Sequence, residues 1–263
     1  MPLAAGIDWR TPAFWLGLIY VTWPLNLLVY GWNDIVDEEI DRANPRKDSW
    51  LFGARGSSRQ LASLPPLIGG VTLPFGAALT WFGGIWTLAS LTGIVLANGL
   101  YNARIGGLRG RPPLDLVNCL GYLLVLELSL RLNDASPLPW QTFAYLGLFC
   151  VHAQLVGQVM DYYCDKAAGR RTSCTRLGIL PTKGLIILLV AGEGVMLATL
   201  FGDLILGGML LAGSAFLIFD ALIYGRDRQY SVAEFRLAGL GMNAAGFVSM
   251  IWVWFSGSLV RLV

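Results

Sequence analysis

Long apolar stretches separated by short polar connections dominate this chain. Runs of spanning length occur at about 12–32, 63–83, 85–103, 114–131, 138–160, 183–201, 204–224 and 238–257. Each is close to the roughly 20 residues that a helix needs to cross a bilayer, and too long for a strand. The pattern therefore predicts eight helices. The connections alternate in basic content. One set carries Arg42, Arg46, Lys47, Arg55 and Arg59, then Arg104, Arg109 and Arg111, then Lys166, Arg170, Arg171, Arg176 and Lys183, and finally Arg226, Arg228 and Arg236. The other set is nearly bare: Gly83-Gly84, a short turn with Arg131, and Gly202-Asp203. Basic loops stay in the cytoplasm, and an even span count then puts both termini on the outer side.

Composition agrees. The chain has 263 residues, of which 55% are hydrophobic and 14% charged, against about 25% charged in soluble domains. Its mean hydropathy is +0.59. The expected fold is all-α: an integral membrane helical bundle of about eight transmembrane helices around a central cavity open to the cytoplasmic side. It is expected to be multi-pass in the cell membrane and surrounded by membrane lipid. No linker or low-complexity tract divides it, so residues 1–263 read as a single domain. A net charge of +2, with no Lys/Arg run, argues against a nucleic-acid partner. Cys119, Cys150, Cys164 and Cys174 lack C-x-x-C spacing and read as free thiols. The N-terminus lacks a basic n-region and a cleavage site, so it does not read as a signal peptide.

The chemistry lies in two acidic clusters on the cytoplasmic side. At about 100° per residue, Asp34, Asp37 and Asp41 fall within about 60° of one another on a helix. Tyr30 and Asn33 share that sector, and Asn26 borders it. Downstream, Gln154, Gln158, Asp161 and Asp165 form a second stripe. Carboxylates at membrane depth cost about 2.5–3.5 kcal/mol each, so five of them at two helix ends call for counter-charge. Solvated loop acids are the bland alternative. It fits the first cluster poorly, because like charges one turn apart repel and Asn26 and Asn33 lie in or beside the apolar span. The chemistry that fits is Mg2+ bridging a diphosphate, since this hard ion takes one or two carboxylates plus phosphate oxygens. Lys47, Arg109, Lys166 and Arg171 would neutralise the remaining phosphate charge.

The string NDIVDEEIDRANPRKD resembles the first signature of the UbiA superfamily of intramembrane prenyltransferases, N-D-x-x-D-x-x-x-D. DYYCDKAAGRRT is similar to its second, and LYNARIGGLRGRPPLDLV to the segment between them. The approach PLNLLVYGWNDIVDEEIDRANPRK looks like the branch that extends carotenoids such as lycopene. The resemblance implies transfer of a prenyl group from a prenyl diphosphate to a lipophilic acceptor, with Mg2+ held by Asp34, Asp37, Asp41, Asp161 and Asp165. Asn33 would join the diphosphate site. In the middle segment the family's proline pair and arginine are replaced by Arg104-Ile105 and Gly107. Arg109 stands at the lysine position, and Arg104 is expected to supply the lost charge. Asn26, Tyr30, Tyr101 and Gln158, with Tyr122 and Tyr162, are expected in the cavity wall. The family usually has nine spans, one ahead of the first motif's helix. Here the motif helix comes first, which implies a truncated start or a member without that helix.

Other polar residues have plainer readings. His152 is expected in an interhelical hydrogen bond, with a base as the alternative, and Glu127 and Arg131 in an ion pair. Glu193 is mid-span with no local partner and stays open between a packing residue and a functional acid. Asp220 is a candidate for the cavity. A transporter would set charges near the midplane of several helices, and a non-catalytic isoprenoid-binding relative would have broken aspartate motifs. Within the enzyme reading, aromatic acids, quinone precursors, chlorin pigments and carotenoids all remain open as acceptors.

Overall fold

The computed structural model describes residues 6–263 other than 46, 49, 50, 54 and 104. Arg46 and Arg104, both singled out above, therefore lie outside the described residues. Among the described residues seven main helical elements follow in order: α1 (Pro12–Ala43), α2 (Ser58–Asn102), α3 (114–132), α4 (Trp140–Ala167), α5 (Ile179–Leu200), α6 (Leu204–Tyr224) and α7 (Val232–Ser256), with short helical pieces at Leu108–Gly110 and Ser173–Leu177 in the connections. No strand occurs among the described residues. All but α3 are long and apolar enough to cross a membrane, making six such helices. The eight apolar runs fall on these elements because α2 is folded in two. At Gly84 the backbone takes φ 71° and ψ −164°, a region open essentially to glycine alone. A side chain on neighbouring Gly83 would strike Thr87. The chain reverses there, and the two arms of α2 pack against each other.

Caps and breaks set the remaining geometry. Thr11 caps α1, its hydroxyl accepting from the Phe14 amide at 3.3 Å. Pro24 lacks an amide hydrogen and crowds the preceding turn. The helix gives way at Trp23 (φ −128°) and continues through a π-helical segment, Leu27–Gly31. Ser57 with Gln60 and Ser231 with Glu234 form capping boxes at α2 and α7, each satisfying two orphan amides. α3 is a chain of short pieces, Leu114–Val117, a 3₁₀ segment Asn118–Tyr122, and Leu123–Leu132.

Two cores flank the centre. Tyr20, Leu25, Leu28, Leu79, Leu91, Ile94, Leu128 and Leu132 lock α1, α2 and α3 together. Leu155, Ile186 and Val190 join α4 to α5, and Tyr145, Leu197, Phe201 and Leu206 extend that packing to α6. The outer surface is apolar instead of polar: Trp81 is 87% exposed, Leu237 75% and Leu73 74%. So much exposed apolar surface suits lipid and not water.

Candidate active site

Between the two cores lies a cavity of about 330 Å³, walled by α1, the second arm of α2, α3 and α4. Its lining changes character along the helices. Leu25, Val29, Ile94 and Val125 form one end; Asp37, Asn102, Arg109, Asp161, Asp165 and Arg170 form the other. The polar end is where α1, α2 and α4 finish and α3 begins, beside the basic connections.

The acidic motifs sit there because α1 and α4 run on as helices past their apolar spans, to Ala43 and Ala167. Asp37 and Asp165 are 5% and 3% exposed. Arg170 spans them: one guanidinium nitrogen contacts Asp37 Oδ1 and the other lies 3.2 Å from Asp165 Oδ1. The two clusters thus face each other across the Arg170 guanidinium. Asp37 Oδ2 accepts from Arg109 and, at 3.0 Å, from Asn33 Nδ2. Asp34 and Asp41 turn to the flank of α1, where Lys47 Nζ lies 3.1 Å and 2.8 Å from them. Asn44 donates to Asp161 Oδ1 at 3.1 Å. Burial disfavours charge on Lys47, but its bonds to Asp41 and Asp34 outweigh this and raise its affinity for the proton. Burial opposes charge on Arg170 likewise, and Asp37 and Asp165 more than restore it.

A second tier of polar side chains supports this end. Asn98 donates to the Leu28 carbonyl in the π segment at 3.2 Å. Asn102 donates to Asn98 Oδ1 at 3.1 Å, and its own Oδ1 accepts from Arg109 at 3.4 Å. Arg109 also lies over the Tyr101 ring, 5.6 Å from its centroid, while Gln154 donates to the Tyr101 hydroxyl at 2.9 Å. Asp115, wholly buried, accepts from the Ser173 amide and hydroxyl, both at 2.7 Å, and from Gln158 at 2.9 Å. It ties the start of α3 to α4 and to the loop that carries Arg170.

The structure gathers Asn33, Asp37, Asp161, Asp165, Tyr30, Tyr101, Gln158 and Arg109 at the cavity wall. Gln158 lines it with both amide atoms engaged, one on Asp115 and the other accepting from the Cys174 amide at 2.9 Å. Asn26 does not join them. It is exposed and bonds back to the Val21 and Thr22 carbonyls at 3.1 and 2.9 Å. A regular 100° step does not carry through the π segment, whose wider turns shift Asn26 out of phase with Asp37. Lys166 is exposed and stacks on Tyr162, 5.4 Å from its ring centroid. Arg171 is exposed too. Its neighbour Arg170 enters the site instead, because α4 ends in a reversal: Gly169 has φ 69° and the Arg170 amide donates back to the Asp165 carbonyl at 2.8 Å. Such a C-terminal turn folds Arg170 over the helix end, and helical periodicity stops before it. Only Gly169 in the sequence hints at that reversal.

Two other acids singled out in the sequence are paired away from the site. Glu127 accepts from Arg131 at 2.7 Å, as spacing predicts. Asp220 faces away from the cavity and binds Lys183 at 2.7 Å, together with the Tyr230 hydroxyl.

The model of the UbiA prenyltransferase family matches residues 2–247. A lycopene elongase/hydratase of Corynebacterium glutamicum is 29% identical over 207 residues, covering 75% of this chain and 68% of that protein. A lycopene elongase/hydratase of Haloferax volcanii is 27% identical over 197 residues, 73% of this chain and 62% of that one. The solved structure of a UbiA homolog from Archaeoglobus fulgidus, bound to GPP and Mg2+, shares the fold: TM-score 0.61, 16% identity, 93% of this chain and 89% of that chain.

Proposed function

The chain belongs to the UbiA prenyltransferase family and is a multi-pass membrane prenyltransferase; from that premise we propose that it transfers a prenyl group from a prenyl diphosphate to a long polyene of the carotenoid class. One observation carries this reading. The cavity joins an end of carboxylates and guanidinia to an apolar end lined by Leu25, Val29, Ile94 and Val125. A diphosphate ester with an isoprenoid tail has the same two-part chemistry. The polyene acceptor is supported by the similarity to lycopene elongase/hydratases in a bacterium and in haloarchaea. The polar end lies beside the basic connections, which supports an opening toward the cytoplasm.

An all-oxygen set of carboxylates suits a hard cation such as Mg2+. Asp37, Asp161 and Asp165, with Asp34 and Asp41 on the flank, would hold it in exchange for the bases and amides they bind. Bound there, the ion would supply Lewis-acid stabilisation of the diphosphate. The chain's own residues do the rest. Arg109, Arg170 and Lys47 are positioned to take up phosphate charge as the C1–O bond breaks and its electrons leave with diphosphate. The Tyr101 ring faces the cavity, where its quadrupole favours the allylic cation left behind. The apolar end keeps water from that cation until an acceptor carbon bonds to C1 and the adduct sheds a proton.

The test is direct. Membranes containing the full chain are incubated with radiolabelled prenyl diphosphates and a polyene extract, with Mg2+ or with a chelator. Label should enter the polyene fraction only when Mg2+ is present. Label in a phenolic or quinone-precursor fraction would overturn the acceptor, and transfer undiminished by chelation would overturn the metal.

A further inference from the structure

Basic side chains of the protein already engage most of the carboxylates at the polar end of the cavity. Both Asp37 oxygens are taken, one by Arg170 and the other by Arg109 and Asn33. Arg170 also holds Asp165, while Lys47 holds Asp34 and Asp41. Consistent with this, no three His, Cys, Asp or Glu among the described residues group closely enough to hold a metal ion. A divalent cation arriving alone must strip Arg170 and Arg109 from a buried carboxylate. The stripped guanidinia then keep their charge in a buried site with no acceptor, a state that strongly disfavours the exchange. A cation arriving with a diphosphate brings anionic oxygens that receive those same guanidinia, and every charge stays paired.

We propose that Arg170 is an exchangeable bridge, which closes the two acidic clusters on each other in the absence of donor and passes to the diphosphate when metal and donor enter together. The bridge makes metal binding conditional on the diphosphate. This role rests on the donor reading above. It belongs to Arg170 more than to Arg109, because of these two Arg170 is the one that touches a carboxylate of each cluster.

The test uses the purified full chain in detergent, with Mn2+ as a spectroscopic substitute for Mg2+ and inorganic pyrophosphate as the anion. Protein-bound Mn2+ is measured as the excess on the protein side at dialysis equilibrium, because pyrophosphate itself chelates the free ion, and electron paramagnetic resonance of acid-released samples counts it. Wild type should bind Mn2+ at least about tenfold more weakly without pyrophosphate than with it, because the metal-competent state is rare while the bridge is closed. Arg170→Gln should tighten binding of Mn2+ alone by about tenfold and lose most of the pyrophosphate dependence. Arg170→Lys keeps the charge but lacks the fork that spans two carboxylates; it should fall between them, and it carries the comparison if Arg170→Gln does not elute as a folded species. Equal Mn2+ affinity with and without pyrophosphate in wild type, or an unchanged ratio in the variants, overturns the bridge alone. Absence of Mn2+ binding even with pyrophosphate overturns the donor reading and the bridge with it.

Discussion

His152 and Glu193 meet between α4 and α5 inside the bundle, with Nδ1 of the imidazole 2.5 Å from Oε1 of the carboxyl. Neither residue lines the cavity. On α4, His152 lies about 160° around the helix from Gln154, so the pair sits behind the reactive wall. Glu193 is fully buried, which makes the pair a packing contact that joins two spans.

Replacing Glu193 by Ala should therefore affect stability and not chemistry. The half-buried imidazole loses its partner, a cost of about 1–3 kcal/mol. Thermal unfolding in detergent should show a clear fall in Tm, with turnover per folded molecule near that of wild type. A large loss of turnover in well-folded Glu193→Ala protein would assign the acid a part in the reaction.

The acids of the cavity should behave in the opposite way. Asp37→Ala or Asp161→Ala is expected to reduce prenyl transfer by about 10²-fold or more, as removal of a preorganised charge commonly does. Membrane insertion should persist, because the apolar spans are untouched. Near-normal turnover of either variant in Mg2+ would contradict the two-cluster site.

Two arginines of different loops provide a sharper contrast. Arg171 is exposed, whereas Arg109 is held between Asp37 and Asn102. Arg109→Ala should raise KM for the prenyl diphosphate about tenfold or more, the scale of one charged hydrogen bond, while Arg171→Ala should change it by less than about twofold. Steady-state kinetics with varied donor measures both. Equal effects would mean that the loop after Gly169 lies differently.

Asp203 predicts a pH dependence away from the site. Burial pushes its carboxyl up, but hydrogen bonds from Ser258, the Leu206 amide and Trp252 outweigh that and hold it below its ordinary 3.8. A carboxyl depressed by folding contributes stability in full above its unfolded value and loses it as pH falls through the folded one. Tm should therefore drop below about pH 4, and Asp203→Asn should flatten that drop. A variant with the same acid profile as wild type would remove Asp203 as its source.

Gly84 tests the fold of α2. With φ 71° and ψ −164°, Gly84→Ala should cost about 1–3 kcal/mol in backbone strain, read as a lower Tm. Unchanged stability would mean that the two arms do not meet at this residue.

Much of this protein is dictated by local pattern. Apolar runs of bilayer length have one economical solution, because a backbone in lipid must satisfy its own hydrogen bonds, and helices do so within each span. The Asp37 and Asp161–Asp165 seams follow for the same reason: within one regular helix, spacing sets direction. The Glu127–Arg131 pair was legible on that basis. Legibility fails wherever regularity does. A constant 100° step puts Asn26 beside the cavity, and the π segment Leu27–Gly31 interrupts that step. Spacing does not tell Arg170 from Arg171, because a loop has no period, and only the reversal at Gly169 decides which guanidinium turns inward. Glu193 has no partner in its own helix, and the position of Asp220 near a span's inner end points equally well to the cavity. Their true partners, His152 and Lys183, lie 41 and 37 residues away in sequence. Such contacts cross between helices, so only the packing of one span against another can settle them.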